Sequence, residues 1–346
     1  MYKLSERSKK VLYAVVQSYI NYPDPVGSRI VTKRYSFGLS PATIRNIMAD
    51  LEDMGFLTQP HTSAGRIPTD LGYRFYVDSI SSKGDVSANI EIEILHGLYN
   101  RLQVLKNNIE LLLSETTKSL SALSHYLGVA MSPAPDVTVF GKINLLKYQS
   151  DKVAVVLFTD DGRIKNKTLQ VSPEISQKDL NRIAQYLNSE FAGLTFDEIR
   201  MRLLKEISKD KTKCDTLISR ALNLCREALY FTFNELFVSG LSEVLELPDF
   251  ADLNKIRELS KAIEDKHMII KLLDKLSETE GLKVIIGSEN TVSSLKDISL
   301  IVSPCKEGDR QVGVVGLIGP TRMNYAKAMY IVENTARFIT KMLTER

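Results

Sequence analysis

Arg45 and Asn46 stand side by side between Ala42 and Ala49, and this quartet is equipped to read base edges. An arginine guanidinium forks to guanine O6 and N7, an asparagine amide pairs bidentately with adenine, and alanines allow close backbone approach. Ser40 and Thr43 sit where a helix begins, and a hydroxyl beside the free N–H groups of a first turn can hold a phosphate. Downstream, His61, Ser63 and Arg66 lie between Pro60 and Pro68, with Arg66 placed to enter a minor groove or touch phosphate. His61 also admits a metal-ligand or general-base reading. No second His or Cys lies near it in sequence, so a backbone or phosphate contact is favoured. Ser28 and Arg29, at the head of a short basic segment, complete the candidate nucleic-acid contacts.

These side chains need elements to aim them. Ser5 to Ile20 reads as a first helix, with Val11, Leu12, Val15, Val16, Tyr19 and Ile20 on one buried stripe. Pro23 and Pro25 stop it, because proline cannot continue the hydrogen-bond ladder. Ser28 is expected to cap a second helix that turns Val31 and Tyr35 inward and Lys33 and Arg34 outward. After a turn at Phe37-Gly38-Leu39, Ser40 caps a third helix, Pro41 takes its first position and Gly55 closes it.

On a helical wheel Ile44, Ile47, Met48, Leu51 and Met54 share the inward face, opposite the quartet, with Thr43 to the side. Alone, such a helix reads as an ordinary capped surface helix. Two helices ahead of it at helix-turn-helix spacing turn the reading to recognition. Phe56 to Gln59 and Arg66 to Thr69 then form two short strands around a glycine-containing turn, a wing. Tyr73, Phe75 and Tyr76, on a helix from Leu71 to Ile80, are expected to dock the wing or a neighbouring domain.

At 346 residues the chain is long enough for two or three domains. Its 44% hydrophobic and 25% charged content is ordinary for globular protein. It shows neither an 18-residue apolar run nor a signal-peptide core, so no membrane and a cytoplasmic location are expected. Cys214, Cys225 and Cys305 lack metal-ligand spacing and read as reduced thiols. The net charge of +3 is unevenly spread. Residues 1–74 hold ten Lys/Arg against six Asp/Glu, and residues 1–49 hold eight against two. The positive excess therefore lies on the segment that carries Arg45.

Other chemistry finds no support. Gly313 to Gly319 lacks the Lys-Ser/Thr that ends a phosphate loop, and its apolar filling reads as a buried strand with close backbone packing. His96, His125 and His267 are scattered without a nucleophile–carboxylate pattern. No catalytic residue, metal site or cofactor is expected, and the chain does not read as an enzyme.

Beyond the reader, Ser81 to Asp85 is a polar linker. Leu95, Leu98, Leu102, Leu105, Ile109, Leu112 and Thr116 follow a 3.5-residue period, the pattern of a helix–helix seam. It suits either pairing of two copies or packing on its own domain. Phe140–Tyr148, Lys152–Thr159 and Ile164–Val171 form a strand meander, and residues 176–280 read as mainly helical. Strands at 283–287, 298–303 and 311–318 and a final helix from about Thr321 close the chain. The sum is a multidomain α+β protein with an insertion.

Several strings resemble the HrcA family of heat-inducible transcription repressors. They are Pro25-Val26-Gly27-Ser28-Arg29, Ser40-Pro41-Ala42-Thr43-Ile44-Arg45-Asn46, Pro60 through Thr69, and Gly72-Tyr73-Arg74. Ile286-Gly287-Ser288-Glu289-Asn290 and Gly316 through Met323 extend the likeness towards the C-terminus. Two positions depart from the family pattern: Ile47 stands where an acidic residue is usual, and Asn324 where Asp is usual. The resemblance implies an N-terminal winged helix-turn-helix (1–80), a linker and long helix (81–127), a GAF-like α+β domain split between 128–175 and 281–346, and a helical inserted dimerisation domain (176–280). It further implies a homodimer on the inverted-repeat CIRCE operator of groE- and dnaK-type chaperone operons, loss of repression on heat stress, and activation by a GroEL-type chaperonin. A regulator sensing a small molecule through the GAF-like domain is the alternative.

Overall fold

The computed structural model describes residues 4–61, 64–81, 92–106, 108–132, 139–160, 162, 164–196, 198–199, 202, 235–277, 281–290, 296–308 and 310–345. The chain divides into two units, Met1–Ala130 with Phe237–Arg346, and Met131–Leu236.

The first unit opens with α1 (Glu6–Asn21), α2 (Ser28–Arg34) and α3 (Pro41–Asp53). A two-residue-strand hairpin follows, β1 (Leu57–Thr58) against β2 (Ile67–Pro68), and then α4 (Asp70–Ser81). Ser5 caps α1 by accepting from Ser8 N at 3.1 Å, and Val11, Leu12, Val15 and Val16 are buried as the stripe requires. The three aromatics of α4 each find a different partner. Tyr76 meets Tyr13 of α1 at 4.9 Å, Phe75 meets Phe56 beside the hairpin edge-on at 5.7 Å, and Tyr73 meets Tyr325 at 5.8 Å. Burial raises the Tyr73, Tyr76 and Tyr325 hydroxyls above the ordinary tyrosine value, so all three stay neutral in the core.

The heptad stretch is not one helix. It forms α5 (Ile92–Val104) and α6 (Ile109–Ser124), separated where Leu105 N and Asn108 N bond Leu102 O and Leu105 O at 3.0 and 2.9 Å. Asn108 then caps α6 through Leu111 N at 3.0 Å, which starts a second helix. Leu98, Leu102, Leu112 and Thr116 are buried within the unit itself.

Five strands form the sheet of this unit, in the order β7 (Glu235–Ser239), β3 (Leu127–Ser132), β10 (Arg310–Pro320), β9 (Ile298–Glu307) and β8 (Lys283–Ile285). β10 runs antiparallel to β9, and β8 antiparallel to β9. Gly316 lies so close to its neighbour that a Cβ would fall 2.3 Å from Ile301 O. The glycine-rich string is thus the buried strand its apolar filling suggested. The last helix, α11 (Tyr325–Thr344), packs on β9 and buries Ile331, Val332, Ala336 and Ile339, and its Phe338 stacks on Tyr99 of α5 at 4.0 Å. Asn324 caps α11 through Lys327 N at 3.1 Å, a task Asn performs as well as Asp. Helices α8 (Leu241–Leu245), α9 (Leu253–Glu264) and α10 (Lys266–Ser277) lie between β7 and β8 in the chain.

In the second unit, β4 (Phe140–Gln149), β5 (Lys152–Thr159) and β6 (Ile164–Gln170) form a separate antiparallel meander, covered on one face by α7 (Gln177–Phe191). Ile143, Leu145, Val153, Val155 and Leu157 meet Leu180, Ile183, Leu187 and Phe191. Two amides of α7 satisfy the open backbone of the edge strand β4. Asn188 accepts from Ile143 N at 2.7 Å and donates to Ile143 O at 3.0 Å, while Gln177 accepts from Lys147 N and donates to Leu145 O at 2.8 and 2.9 Å.

These observations correct the expected boundaries. The meander belongs with the excursion, not with the five-stranded sheet, and β3 and β7 are strands the sequence reading left out. Residues 237–277 return to the first unit, although the whole of 176–280 reads as insertion in sequence. Of the expected linker at 81–85, Ser81 is the last residue of α4, and 82–85, like the thiols Cys214 and Cys225, lie outside the described residues.

A candidate nucleic-acid interface

Helix α3 is held from beneath and left bare above. Ile44, Met48 and Leu51 are buried in the core, and Ile47 is half-buried against it. Ala42, Thr43, Arg45 and Asn46 are exposed, with Ala49 half-buried at the margin of the row. Met54 departs from the wheel and is 44% exposed, because α3 has already ended at Asp53 and the 3.6-residue period no longer applies. The departure at Ile47 therefore lies on the packing side, away from the exposed row.

The N-terminus of α3 is capped as its sequence requires. Ser40 Oγ accepts from Thr43 N at 3.1 Å, the two hydroxyls lie 3.0 Å apart, and Pro41 occupies the first turn. Both hydroxyls are solvent-facing, so a phosphate oxygen can reach them beside the first-turn N–H groups.

At α2 the expectation fails in detail. Gly27, not Ser28, is the N-cap, and no side chain caps this helix. Ser28 is the first helical residue, half-buried, and Arg29 beside it is exposed. Val31 is fully buried, Lys33 and Arg34 face outward, and the Arg34 guanidinium sits 4.3 Å over the Tyr22 ring.

The hairpin is tied to the chain ahead of α2 as well as to itself. Val26 and Arg66 exchange backbone hydrogen bonds of 2.9 Å, and Gln59 Nε2 donates to Ala64 O at 2.9 Å. Gly65 passes so near that a Cβ would stand 2.5 Å from the carbonyl carbon and oxygen of Val26. The strings around Val26 and Gly65, 39 residues apart, are one construction.

Arg66 does not project as a free arm. Its Nε lies 2.8 Å from Glu52 Oε2 on the last turn of α3, and the two side chains are only 19% and 30% exposed. That N–H is not aligned on the carboxylate as a hydrogen bond, so the pairing is an ionic one. Sequence reasoning missed Glu52, since no periodicity links a helix end to a residue 14 positions on. His61 is exposed near the hairpin tip, its carbonyl accepting from Ala64 N at 2.9 Å, while Ser63 lies outside the described residues.

The geometry thus assembles a bare helix face with Arg45 and Asn46, a capped N-terminus with Ser40 and Thr43, and a braced hairpin alongside. Among the described residues no cluster of three His, Cys, Asp or Glu side chains is placed to hold a metal ion, and no helix is long and apolar enough to cross a membrane.

Comparison with known proteins identifies the family. Residues 110–329 match the family model described as HrcA protein C terminal domain. The heat-inducible transcription repressor HrcA of Thermodesulfovibrio yellowstonii is 48% identical over 343 residues, covering 99% of both chains. Its counterpart from Geobacter sulfurreducens is 39% identical, again with 99% of each chain covered. A crystal structure of a hypothetical protein at 2.2 Å resolution shares the fold, with a TM-score of 0.61 and 23% identity over 99% of each chain. The chain belongs to the HrcA family of heat-inducible transcription repressors, regulators rather than enzymes.

Proposed function

We propose that the chain represses transcription by binding double-stranded DNA as a homodimer, each copy reading one arm of an inverted repeat of the CIRCE type ahead of chaperone operons. In this reading α1 to β2 is a winged helix-turn-helix, α3 lies in the major groove, and the β1–β2 hairpin is the wing. The observation that carries it is the exposed row Ala42, Arg45 and Asn46 on a helix whose opposite face is locked into the core. Arg45 takes a guanine edge, Asn46 an adenine edge, and Ser40 and Thr43 a phosphate. Ser28, Arg29, His61, Ser63 and Arg66 supply further backbone contacts.

The five-stranded body acts as the GAF-like domain, and the unit at 131–236 pairs two copies, since two-fold symmetry is what an inverted repeat demands. The protein works in the cytoplasm, loses DNA affinity on heating, and is returned to its active form by a GroEL-type chaperonin. A multidomain dimer that reads DNA only when folded and paired suits that role. Among the described residues, ligand sensing draws no comparable support: one cleft, lined by Asp249, Phe250, Leu259, Asp297, Ile298 and Thr321, holds about 90 Å³, against roughly 300–1,000 Å³ for ordinary small-molecule sites.

Footprinting on the chaperone-operon promoters of the source organism, with and without chaperonin and at two temperatures, tests the proposal. Protection of a two-fold symmetric site, lost on heating and restored by chaperonin, is the expected result. Uniform protection along the DNA sinks sequence reading.

A further inference from the structure

Three strings noted in the sequence have no place in the DNA-facing surface: Gly72-Tyr73-Arg74, Ile286 to Asn290, and Gly319 to Met323. They converge where the N-terminal helices rest on the five-stranded body.

At one point Arg322, just after β10, grips Asp249 with both arms, Nε to Oδ1 at 3.0 Å and Nη2 to Oδ2 at 2.6 Å. Its third nitrogen, Nη1, donates to Ile20 O at 2.7 Å and to Tyr19 O at 3.4 Å. Those carbonyls belong to the last turn of α1, which holds no basic residue of its own. Arg322 therefore supplies both the missing donors and the favourable charge at that helix end. The pair is well covered, with the Arg322 and Asp249 side chains 11% and 19% exposed.

At a second point Arg74 of α4 donates through Nε to Glu289 Oε1 at 2.6 Å, through Nη2 to Glu289 Oε2, and through Nη2 to Val284 O at 2.7 Å. Glu289 is itself fixed by Ile286 N at 2.9 Å. One helical turn earlier, Asp70 accepts from Ser288 N at 2.8 Å. Gly287 makes this possible: its φ is +49°, and a Cβ there would stand 2.5 Å from the Asp70 carboxylate. Tyr73 against Tyr325 fills the apolar space on the same helix.

We propose that Arg322 and Glu289 are positioning residues for operator recognition, fixing the DNA-reading helices on the body so that the two readers of a dimer meet DNA at one separation and angle. This rests on the inverted-repeat reading given above. Neither residue touches DNA. Arg322, held in place by Asp249, ties α1 to the body through the Tyr19 and Ile20 carbonyls, and Glu289 ties α4 through its bidentate pair with Arg74; a module held through two elements has no single free hinge. Freeing either tie leaves each reading face intact and blurs only the geometry between the two faces.

The test uses the full-length chain, its Arg322→Gln and Glu289→Gln variants, and duplexes carrying the inverted repeat that the wild type protects in footprinting. Spacers between the arms are lengthened or shortened by one to five base pairs, and a single-arm duplex serves as reference. Wild type should bind best at one spacer and fall off steeply on both sides. The variants should keep single-arm affinity within about twofold, lose on the order of tenfold on the native spacer, and bind the altered spacers nearly as well as the native one. Variants that keep the wild-type spacer profile overturn the inference. Should Arg322→Gln fail to fold, Glu289→Gln decides alone, since its amide oxygen still accepts from Ile286 N. Absence of any symmetric footprint by the wild type overturns the inverted-repeat reading instead, before the variants are compared.

Discussion

The backbones of Val26 and Arg66 pair across the molecule, each N–H donating to the other's carbonyl at 2.9 Å. The hairpin therefore cannot move without the segment that launches α2. Gly65 is what lets the two chains come so near, and Gly65→Ala should destabilise the N-terminal region by about 1–3 kcal/mol, as overpacking against backbone does. A urea titration followed by near-ultraviolet circular dichroism, sensitive to Tyr13 and Tyr76, reads this as a lower midpoint. An unchanged midpoint means that the contact is soft and the hairpin free to shift.

Arg45 faces solvent and bonds nothing that the core needs, so its removal should be silent for folding and costly for recognition. Arg45→Ala is expected to keep the thermal midpoint. It should weaken binding to the inverted repeat by about 1–3 kcal/mol and relax base preference at one position in each arm. Binding selections on randomised half-sites measure the preference directly. Equal loss on random DNA would remove Arg45 from base reading.

Glu52 and Arg66 give opposite signs. Arg66→Ala should weaken binding uniformly across sequences and reduce the salt slope by roughly one unit. Glu52→Gln removes the carboxylate 2.8 Å from Arg66 Nε, so it should strengthen binding at low salt and steepen the slope. If neither variant alters the slope, Arg66 stays with Glu52 on DNA and serves only to brace the hairpin.

Cys305 is fully buried on β9, and burial pushes its thiol up to about 12. Because the thiolate is the reactive form, burial leaves the thiol unreactive at pH 8 in the folded chain. Native protein treated with iodoacetamide at pH 8 should leave the Cys305 peptide unmodified in mass spectrometry, and denatured protein should label it fully. Rapid labelling in the native state would mean that β9 opens on the time scale of the reaction.

Patterns of neighbouring residues were legible in the sequence; distant partnerships were not. The inward row of α3, the cap at Ser40 and the docking aromatics of α4 follow from helical spacing and residue type, and the structure places all of them so, apart from Met54 just past the helix end. The heptad misled because Leu98 to Thr116 keeps its period through a break at Asn108, and periodicity cannot distinguish a continued helix from a restarted one. β3 escaped notice because Leu127 to Ser132 is a short apolar run buried along most of its length, without the alternation of a half-exposed strand. The meander was rightly seen as strands yet wrongly assigned to the larger sheet, since strand order is set by partners far along the chain. Glu52, Glu289 and Asp249 escaped for the same reason.

The grip of Arg322 on the carbonyls of Tyr19 and Ile20 also sets a clock. Those atoms are separated by 303 and 302 residues, so during synthesis α1 leaves the ribosome long before its last turn can be closed. Until β10 has been made, a nascent chain carries the exposed face of α3 on helices whose resting place does not yet exist, with Tyr73 facing water in place of Tyr325. A prematurely stopped chain would stay in that condition, with the last turn of α1 left without its closing donor.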